Sequence, residues 1–214
     1  MPPTIDELVV ADPPEAWERA GFDVDRDGYV RIGNVRIRLT GGADEDGGLV
    51  TWTLRDLPPA DNGPGVTTVD GLDTRPSDRP PPEPAQHPNG SVVIDHVVVS
   101  TPDPPRTTSA LESVGLEVRR VRETGTPEAP VIQTFFRAGE VVVELVGPAS
   151  SRPDRGPAAF FGLAISVRDL DDTAALLGER LGMPKDAVQE GRRIATLRHR
   201  ACGMSVPTAF MSVA

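Results

Sequence analysis

Cysteine and aromatic residues are scarce in this chain of 214 residues, and lysine is almost missing. The single cysteine, Cys202, excludes an intrachain disulfide and a cysteine-rich metal site. No apolar run approaches the roughly 18 residues that a membrane span requires. The first residues, Met1-Pro2-Pro3-Thr4, lack the charged region and the apolar run of a secretory signal. We therefore expect a cytoplasmic protein with no membrane partner.

The charge balance argues against one further class of partner. The formal net charge is −10, and the basic residues form no stripe along the chain. Binding to a nucleic acid requires clustered positive charge that neutralises phosphates. The sequence therefore predicts no nucleic-acid partner.

One short pattern occurs three times along the chain: a strand, a helix ended by glycine, and then further strands. Repetition at a roughly constant interval is the signature of a repeated structural unit. The copies lie in residues 1–58, 93–148 and 159–214, and the proline-rich stretch 59–92 is predicted to be an extended connector that packs no core. The second and third copies together form the predicted main domain, 93–214. Each copy is predicted to be a βαβββ module, so the predicted fold class is α+β.

Three stretches carry a resemblance to a known family: IDHVVV (94–99), VVVELVG (141–147) and GLAISVRDLD (162–171). In these stretches the chain resembles the vicinal oxygen chelate superfamily, which includes glyoxalases, bleomycin resistance proteins and extradiol dioxygenases. The resemblance implies that the βαβββ modules form a curved mixed β-sheet around a cleft, with helices outside. It also implies a small-molecule ligand and a homodimer. It does not imply one reaction, because this fold serves many activities.

The resemblance also implies a metal site in the cleft. In the family each module commonly supplies one ligand from its first strand and a carboxylate from its last strand. His96 and Glu144 occupy these positions in the second copy. Because side chains alternate along a strand, each is predicted to point to the face opposite its immediate neighbours. In the third copy the first-strand position is predicted to be Leu163, and no acidic residue follows Glu190. Two of four ligands are therefore missing, and any bound Zn, Ni, Mn or Fe would need a further donor such as Glu7.

In the first copy the same two positions carry Glu7 and Arg38. We expect these residues to form an ion pair across adjacent strands where a metal would otherwise bridge. The alternative is that Arg36 and Arg38 form the solvated face of an edge strand, with the neighbouring aliphatic residues directed inward.

Further interpretations of the histidine remain open. His96 follows Asp95 and could act as a general base oriented by a carboxylate. Neighbouring residues of a regular strand face opposite sides, however, so Glu144 is predicted to be its partner. A buried, satisfied histidine–glutamate pair without chemistry is the alternative.

Binding of the ligand is assigned to Arg198, Arg200 and Phe135. The two arginines would share one face of a strand and could hold an anion if that face lines the cleft. The alternative is that they are exposed or pair with the acidic stretch 169–172.

Two functions therefore remain open at this point. In the first, the protein binds a small, anionic molecule in a cleft with a degenerate metal site and no cofactor. In the second, it is a metal-dependent lyase, isomerase or dioxygenase in which His96 and Glu144 hold a divalent metal.

Overall fold

The structure is a computed structural model, and it describes residues 2–42, 47–58, 67–152 and 155–213. Within these ranges the chain forms two mixed β-sheets and four short α-helices. No helix in the described ranges is long and apolar enough to cross a membrane.

The first sheet has six strands in the order β2-β3-β1-β4-β6-β5. Helix α1 (Pro14–Arg19) connects its first two strands. The strands are β1 (Thr4–Val10), β2 (Tyr29–Ile32), β3 (Val35–Leu39), β4 (Leu49–Arg55), β5 (Thr67–Val69) and β6 (Leu72–Ser77).

The second sheet has eight strands in the order β12-β13-β14-β11-β7-β10-β9-β8. Its first half contains β7 (Ser91–Ser100), α2 (Pro104–Ser113), β8 (Glu117–Thr126), β9 (Ala129–Ala138) and β10 (Val141–Pro148). Its second half contains β11 (Ala159–Val167), α3 (Leu170–Leu177), β12 (Lys185–Asp186), β13 (Arg193–Thr196), α4 (His199–Cys202) and β14 (Thr208–Ser212). The α+β fold class with curved mixed sheets, predicted from the sequence, is confirmed.

Alternation along the strands separates the core from the cleft. In β10, Val141, Val143 and Leu145 are buried, whereas Val142 and Glu144 on the opposite face are only half-buried. The buried faces of both sheets join one continuous core, which includes Trp17, Trp52, Phe136, Phe210 and helix residues such as Leu111 and Leu177. The half-buried face of the second sheet is therefore left free to line a cleft.

Helix α3 has a capping residue at each end. Asp169 caps α3, and its Oδ1 accepts hydrogen bonds from the backbone N–H groups of Asp171 and Asp172. The helix ends at Leu177, and Gly178 follows in a positive-φ conformation. A 3₁₀ turn over Gly178–Arg180 follows.

The structure contains four copies of the repeat rather than three. In each half of the second sheet, the first strand pairs in parallel with the last: β7 with β10, and β11 with β14. The first sheet repeats this arrangement, with β1 parallel to β3 and β4 parallel to β6. Strand β4 therefore begins a fourth copy over residues 49–77 and does not end the first copy.

The prediction of a connector that packs no core is consequently wrong for residues 67–77, and residues 59–66 lie outside the described ranges. Val69 and Leu72 are buried in the core of the first sheet. Strands β5 and β6 have no clear sequence pattern, because both are short and β6 contains Pro76. Its missing N–H is tolerated because the pairing of β6 with β5 stops at Thr74.

Residues 78–90 do connect the two sheets, but they are held in place along their length. The backbone N–H of Ala85 donates to the carbonyl of Arg31. His87 and Asn89 are buried, and the Asn89 side chain donates to the carbonyl of Ala20 at 2.9 Å. This segment is therefore part of the packed structure.

Candidate functional site

A cavity of about 540 Å³ lies on the concave face of the second sheet. It extends across the sheet from β8 at one edge to β12 at the other. The residues that line it are Asp95, His96, Arg120, Arg122, Gln133, Phe135, Val142, Glu144, Lys185, Asp186, Ala187, Val188, Gln189, Ile194 and Met211. The cavity thus combines a polar centre, an apolar wall and positively charged groups.

A β-bulge brings Asp95 and His96 to the same side of strand β7. Ile94 pairs with Ile165 and His96 pairs with Ala164, so Asp95 is an extra residue without a partner in β11. A bulge interrupts the alternation of side chains. As a result Oδ1 of Asp95 lies 3.0 Å from Nδ1 of His96. The expectation that Asp95 is poorly placed to orient His96 is therefore wrong.

The other nitrogen of the His96 ring faces Glu144. Nε2 of His96 lies 3.2 Å from Oε2 of Glu144, which extends from the neighbouring strand β10. The remaining oxygen of Glu144 accepts a hydrogen bond of 2.6 Å from the Gln133 amide. Nε of Arg122 in turn donates to the Gln133 carbonyl oxygen at 2.9 Å. The imidazole is thus held between two carboxylates.

Asp95 is held on its far side by two further groups. Its Oδ2 accepts hydrogen bonds from the hydroxyl of Ser166 at 2.8 Å and from Nη2 of Arg192 at 2.6 Å. Burial by itself would raise the pKa of Asp95, but the hydrogen bonds from His96, Arg192 and Ser166 outweigh it and lower the pKa far below its usual value. Asp95 is therefore an anion that positions the imidazole.

These contacts form one hydrogen-bonded row across the concave face. The row runs from β8 to the segment before β13 and consists of Arg122, Gln133, Glu144, His96, Asp95 and Arg192. Neither Gln133 nor the contact of Arg192 with Asp95 was predicted from the sequence. A polar residue within an apolar strand is the signal that could have identified Gln133.

The third copy offers no ligand where a metal would need one. Phe161 is the extra residue of a bulge in β11, because Phe160 pairs with Val99 and Gly162 pairs with Val98. Since His96 directly follows the corresponding bulge in β7, its counterpart is Gly162, and the assignment of Leu163 is wrong. A Cβ at Gly162 would lie 2.4 Å from the carbonyl oxygen of Pro207, so no ligand side chain fits there.

The carboxylate position of the third copy is also apolar. Glu144 pairs with Val98, two residues after His96, and the corresponding residue, Ala209, pairs with Ala164, two residues after Gly162. Within the described ranges, no group of three His, Cys, Asp or Glu residues could hold a metal ion. Two facing donors are too few for a resident catalytic metal, so the site does not fit one.

Glu7 does not join His96 and Glu144. It lies on β1 of the first sheet, where its Oε1 is 3.2 Å from Nε of Arg38, an ion-pair distance without an aligned hydrogen bond. Its other oxygen accepts a hydrogen bond of 2.7 Å from Nη2 of Arg79. The idea that Glu7 completes a metal site with His96 is therefore wrong.

The first sheet repeats the bulge and fills its centre with ion pairs. Ile5 pairs with Leu54 and Glu7 pairs with Thr53, so Asp6 is the extra residue, as Asp95 is in the second sheet. Asp6 is fully buried and forms ion pairs with Arg36, Arg55 and Arg79. Arg36 is therefore not simply solvated.

The surroundings of Asp6 also decide its charge. Burial would raise its pKa, but the Ser77 hydroxyl and the charges of Arg55 and Arg79 outweigh burial and lower it. This carboxylate therefore remains charged inside the protein.

The predicted ligand-binding residues divide into two groups. Phe135 lines the cavity, and the guanidinium of Arg122 lies 5.9 Å above the centre of its ring. Arg198 and Arg200 do not line it. Strand β13 ends at Thr196 and helix α4 begins at His199, so the two arginines do not share the expected strand face.

Residues 93–183, a little under half of the chain, match the model of the Glyoxalase/Bleomycin resistance protein/Dioxygenase superfamily. The chain therefore carries a domain of this superfamily, and the resemblance seen in the sequence is confirmed. None of the curated protein sequences matches the chain significantly.

Several solved structures are similar over almost the whole chain. One is a triple mutant of 4-hydroxymandelate synthase from Streptomyces coelicolor, with a TM-score of 0.63 and 14% identity, covering 99% of this chain and 93% of that chain. Another is a mutant of homoprotocatechuate 2,3-dioxygenase from Brevibacterium fuscum, with a TM-score of 0.61 and 17% identity, covering 99% of this chain and 72% of that chain. At such identities the likeness establishes the fold alone.

Proposed function

We propose that the protein binds a small organic anion with a partly apolar body in the cavity of the second sheet. The observation that carries this proposal is the combination of lining groups. Arg120, Arg122 and Lys185 supply positive charge, and Phe135, Val142, Val188, Ile194 and Met211 supply apolar surface. A concave, mostly apolar cavity with a few convergent polar groups is typical of a small-molecule site.

Arg122 is the preorganised cation of this site. Its guanidinium is fixed by the Gln133 oxygen and lies above the Phe135 ring. An arginine held in this way loses little conformational entropy when it binds a carboxylate. The neighbouring aromatic ring offers the apolar body of the ligand a surface to stack on.

Isothermal titration calorimetry with two aromatic acids tests the proposal. Suitable probes are 4-hydroxymandelate and homoprotocatechuate, which appear in the names of the two similar proteins above. We expect saturable binding of at least one probe, weakened about tenfold in Arg122→Gln through the loss of a charge-assisted hydrogen bond. Arg200→Gln, which removes an arginine outside the cavity, is the matched control. Absence of binding to both probes, or equal weakening in the two variants, would contradict the proposal.

One observation favours metal-dependent lyase, isomerase or dioxygenase chemistry as a second candidate. Nε2 of His96 and Oε2 of Glu144 face each other at 3.2 Å, and Asp95 orients the ring from its other nitrogen. A carboxylate behind a histidine is common at metal sites. The two missing donors argue against it.

Elemental analysis of protein purified without chelator distinguishes the two candidates. Stoichiometric Zn, Ni, Mn or Fe that is lost in His96→Ala would support the metal-dependent candidate. Because two donors hold a metal weakly, we expect less than stoichiometric metal in both proteins.

The homodimer, the cytoplasmic location and the main domain over 93–214 stay predictions. Light scattering coupled to size-exclusion chromatography gives the mass in solution. A mass twice that of the 22.8 kDa chain is expected for the dimer.

A further inference from the structure

We infer that the ligand of this cavity carries two separated anionic groups, one bound by Arg120 and the other by Lys185. This inference rests on the proposed binding function and makes its ligand class specific. It predicts a dicarboxylate or a similar dianion rather than a simple monocarboxylate.

The two cations come from opposite edges of the second sheet. Arg120 belongs to β8 and Lys185 to β12, the first and last strands in the spatial order of the eight-stranded sheet. Both residues nevertheless line the same cavity. The curvature of the sheet therefore turns its two edges toward one ligand.

Both cations are available for a ligand. Over residues 2–42, 47–58, 67–152 and 155–213, the side chains of Arg120 and Lys185 form no hydrogen bond and no ion pair. The third cation in the lining, Arg122, is held by Gln133 and lies on the same strand as Arg120, so it adds positive charge at that end of the cavity. Lys185 is also the single lysine among the 22 basic residues of the chain.

The acidic residues of the lining direct anionic groups to the two ends of the cavity. Asp95 and Glu144 lie at its centre, on β7 and β10. Both already contact other side chains of the hydrogen-bonded row. Two carboxylates at the centre repel an anion placed there. The third acid, Asp186, follows Lys185 in β12 and forms no ion pair with it in the described ranges.

The middle of the ligand is expected to be uncharged. Between the two cations the cavity presents the His96 ring, the Gln133 amide and the side chains of Val142, Ile194 and Met211. An aromatic or aliphatic spacer, with or without a hydroxyl or carbonyl group, matches this surface.

Matched aromatic acids test the inference with the full-length protein. Phenylacetate carries one carboxylate, and 1,3- and 1,4-phenylenediacetate carry two on the same scaffold at different separations. By calorimetry we expect at least one of the dianions to bind about tenfold more tightly than phenylacetate, as one additional charge-assisted contact provides.

Neutral variants locate the two contacts. Arg120→Gln and Lys185→Gln are each expected to remove the roughly tenfold preference for the dianion, whereas Arg200→Gln retains it. Both side chains are exposed, and circular dichroism verifies that the variants are folded. A wild-type protein that binds phenylacetate as tightly as both dianions, or a Lys185→Gln variant that keeps the preference, overturns the inference and leaves the proposed function intact. Failure of all anions to bind overturns both.

Discussion

Asp95 and His96 are consecutive residues, yet both side chains face the same cavity, where Oδ1 of Asp95 lies 3.0 Å from Nδ1 of His96. The β-bulge at Asp95 makes this possible. The first sheet has the same bulge at Asp6, beside Glu7. The same kind of β-bulge therefore occurs at the centre of both sheets. It places Asp95 beside the His96 imidazole in the second sheet and Asp6 among arginines in the first.

The buried carboxylate of Asp6 is expected to be essential for stability. Asp6→Asn leaves Arg36 and Arg55 without their anionic partner inside the protein, at a cost of about 3–5 kcal/mol in the free energy of unfolding. Urea denaturation followed by tryptophan fluorescence measures this change. Asp171→Asn removes an exposed ion pair with Arg193 and serves as the control. Equal midpoints for Asp6→Asn and the wild type would contradict the prediction.

Asp95 and Arg192 are expected to be coupled in stability. Removing either partner of this largely buried pair, by Asp95→Asn or Arg192→Met, should cost roughly 2–3 kcal/mol because the other group loses its charge-assisted hydrogen bond. In the double variant the two costs should not add, and the coupling energy should be about 1–2 kcal/mol. Denaturation of the four proteins measures it. Strict additivity would show that the two residues act independently.

His87 makes stability depend on pH. Its Nδ1 accepts the backbone N–H of Asp23 at 3.1 Å, and its Nε2 donates to the carbonyl of Arg31 at 3.0 Å, so the neutral ring satisfies both contacts. Burial lowers the pKa of His87 below its ordinary value of 6.5, an effect that outweighs the opposing influence of the Arg31 carbonyl and the Asp23 charge. Below pH 6.5 the unfolded chain therefore binds a proton that the folded chain resists.

The contribution of His87 is thus fully present above pH 6.5 and is lost as the pH falls from 6.5 toward the lower pKa of the folded protein. We expect the melting temperature of His87→Gln to fall less than that of the wild type over this range. Differential scanning fluorimetry in a pH series measures both proteins. Parallel curves for the two would refute the role of His87.

Gly162 is expected to tolerate no side chain. In Gly162→Ala the new Cβ meets the carbonyl oxygen of Pro207 at 2.4 Å, and moving β14 away should cost roughly 1–3 kcal/mol. At Gly182 the nearest atom is the Thr196 oxygen at 3.2 Å, so Gly182→Ala should be milder. Thermal denaturation compares the two variants. A more stable Gly162→Ala protein would mean that the strands can separate at little cost.

The sequence predicted the parts of the fold that local patterns encode. Strands β7 and β10 follow from the aliphatic runs at 94–99 and 141–147. The same patterns could not reveal β5 and β6, which are short and include Pro76. These strands exist because they pair with β4, a contact between distant segments that no local signal contains.

The residues of the candidate site also divide into those that local patterns predict and those that only the tertiary structure brings together. The sequence by itself determined that His96 and Glu144 come from the first and last strands of one repeat, because the strand period and the order of elements are local properties. Only the tertiary structure decided that Asp95 joins them, that Gly162 faces Pro207, and that Arg120 and Lys185 meet across one cavity. A bulge changes the face of a residue without changing its type, and the curvature of an eight-stranded sheet depends on pairings between residues far apart in the chain.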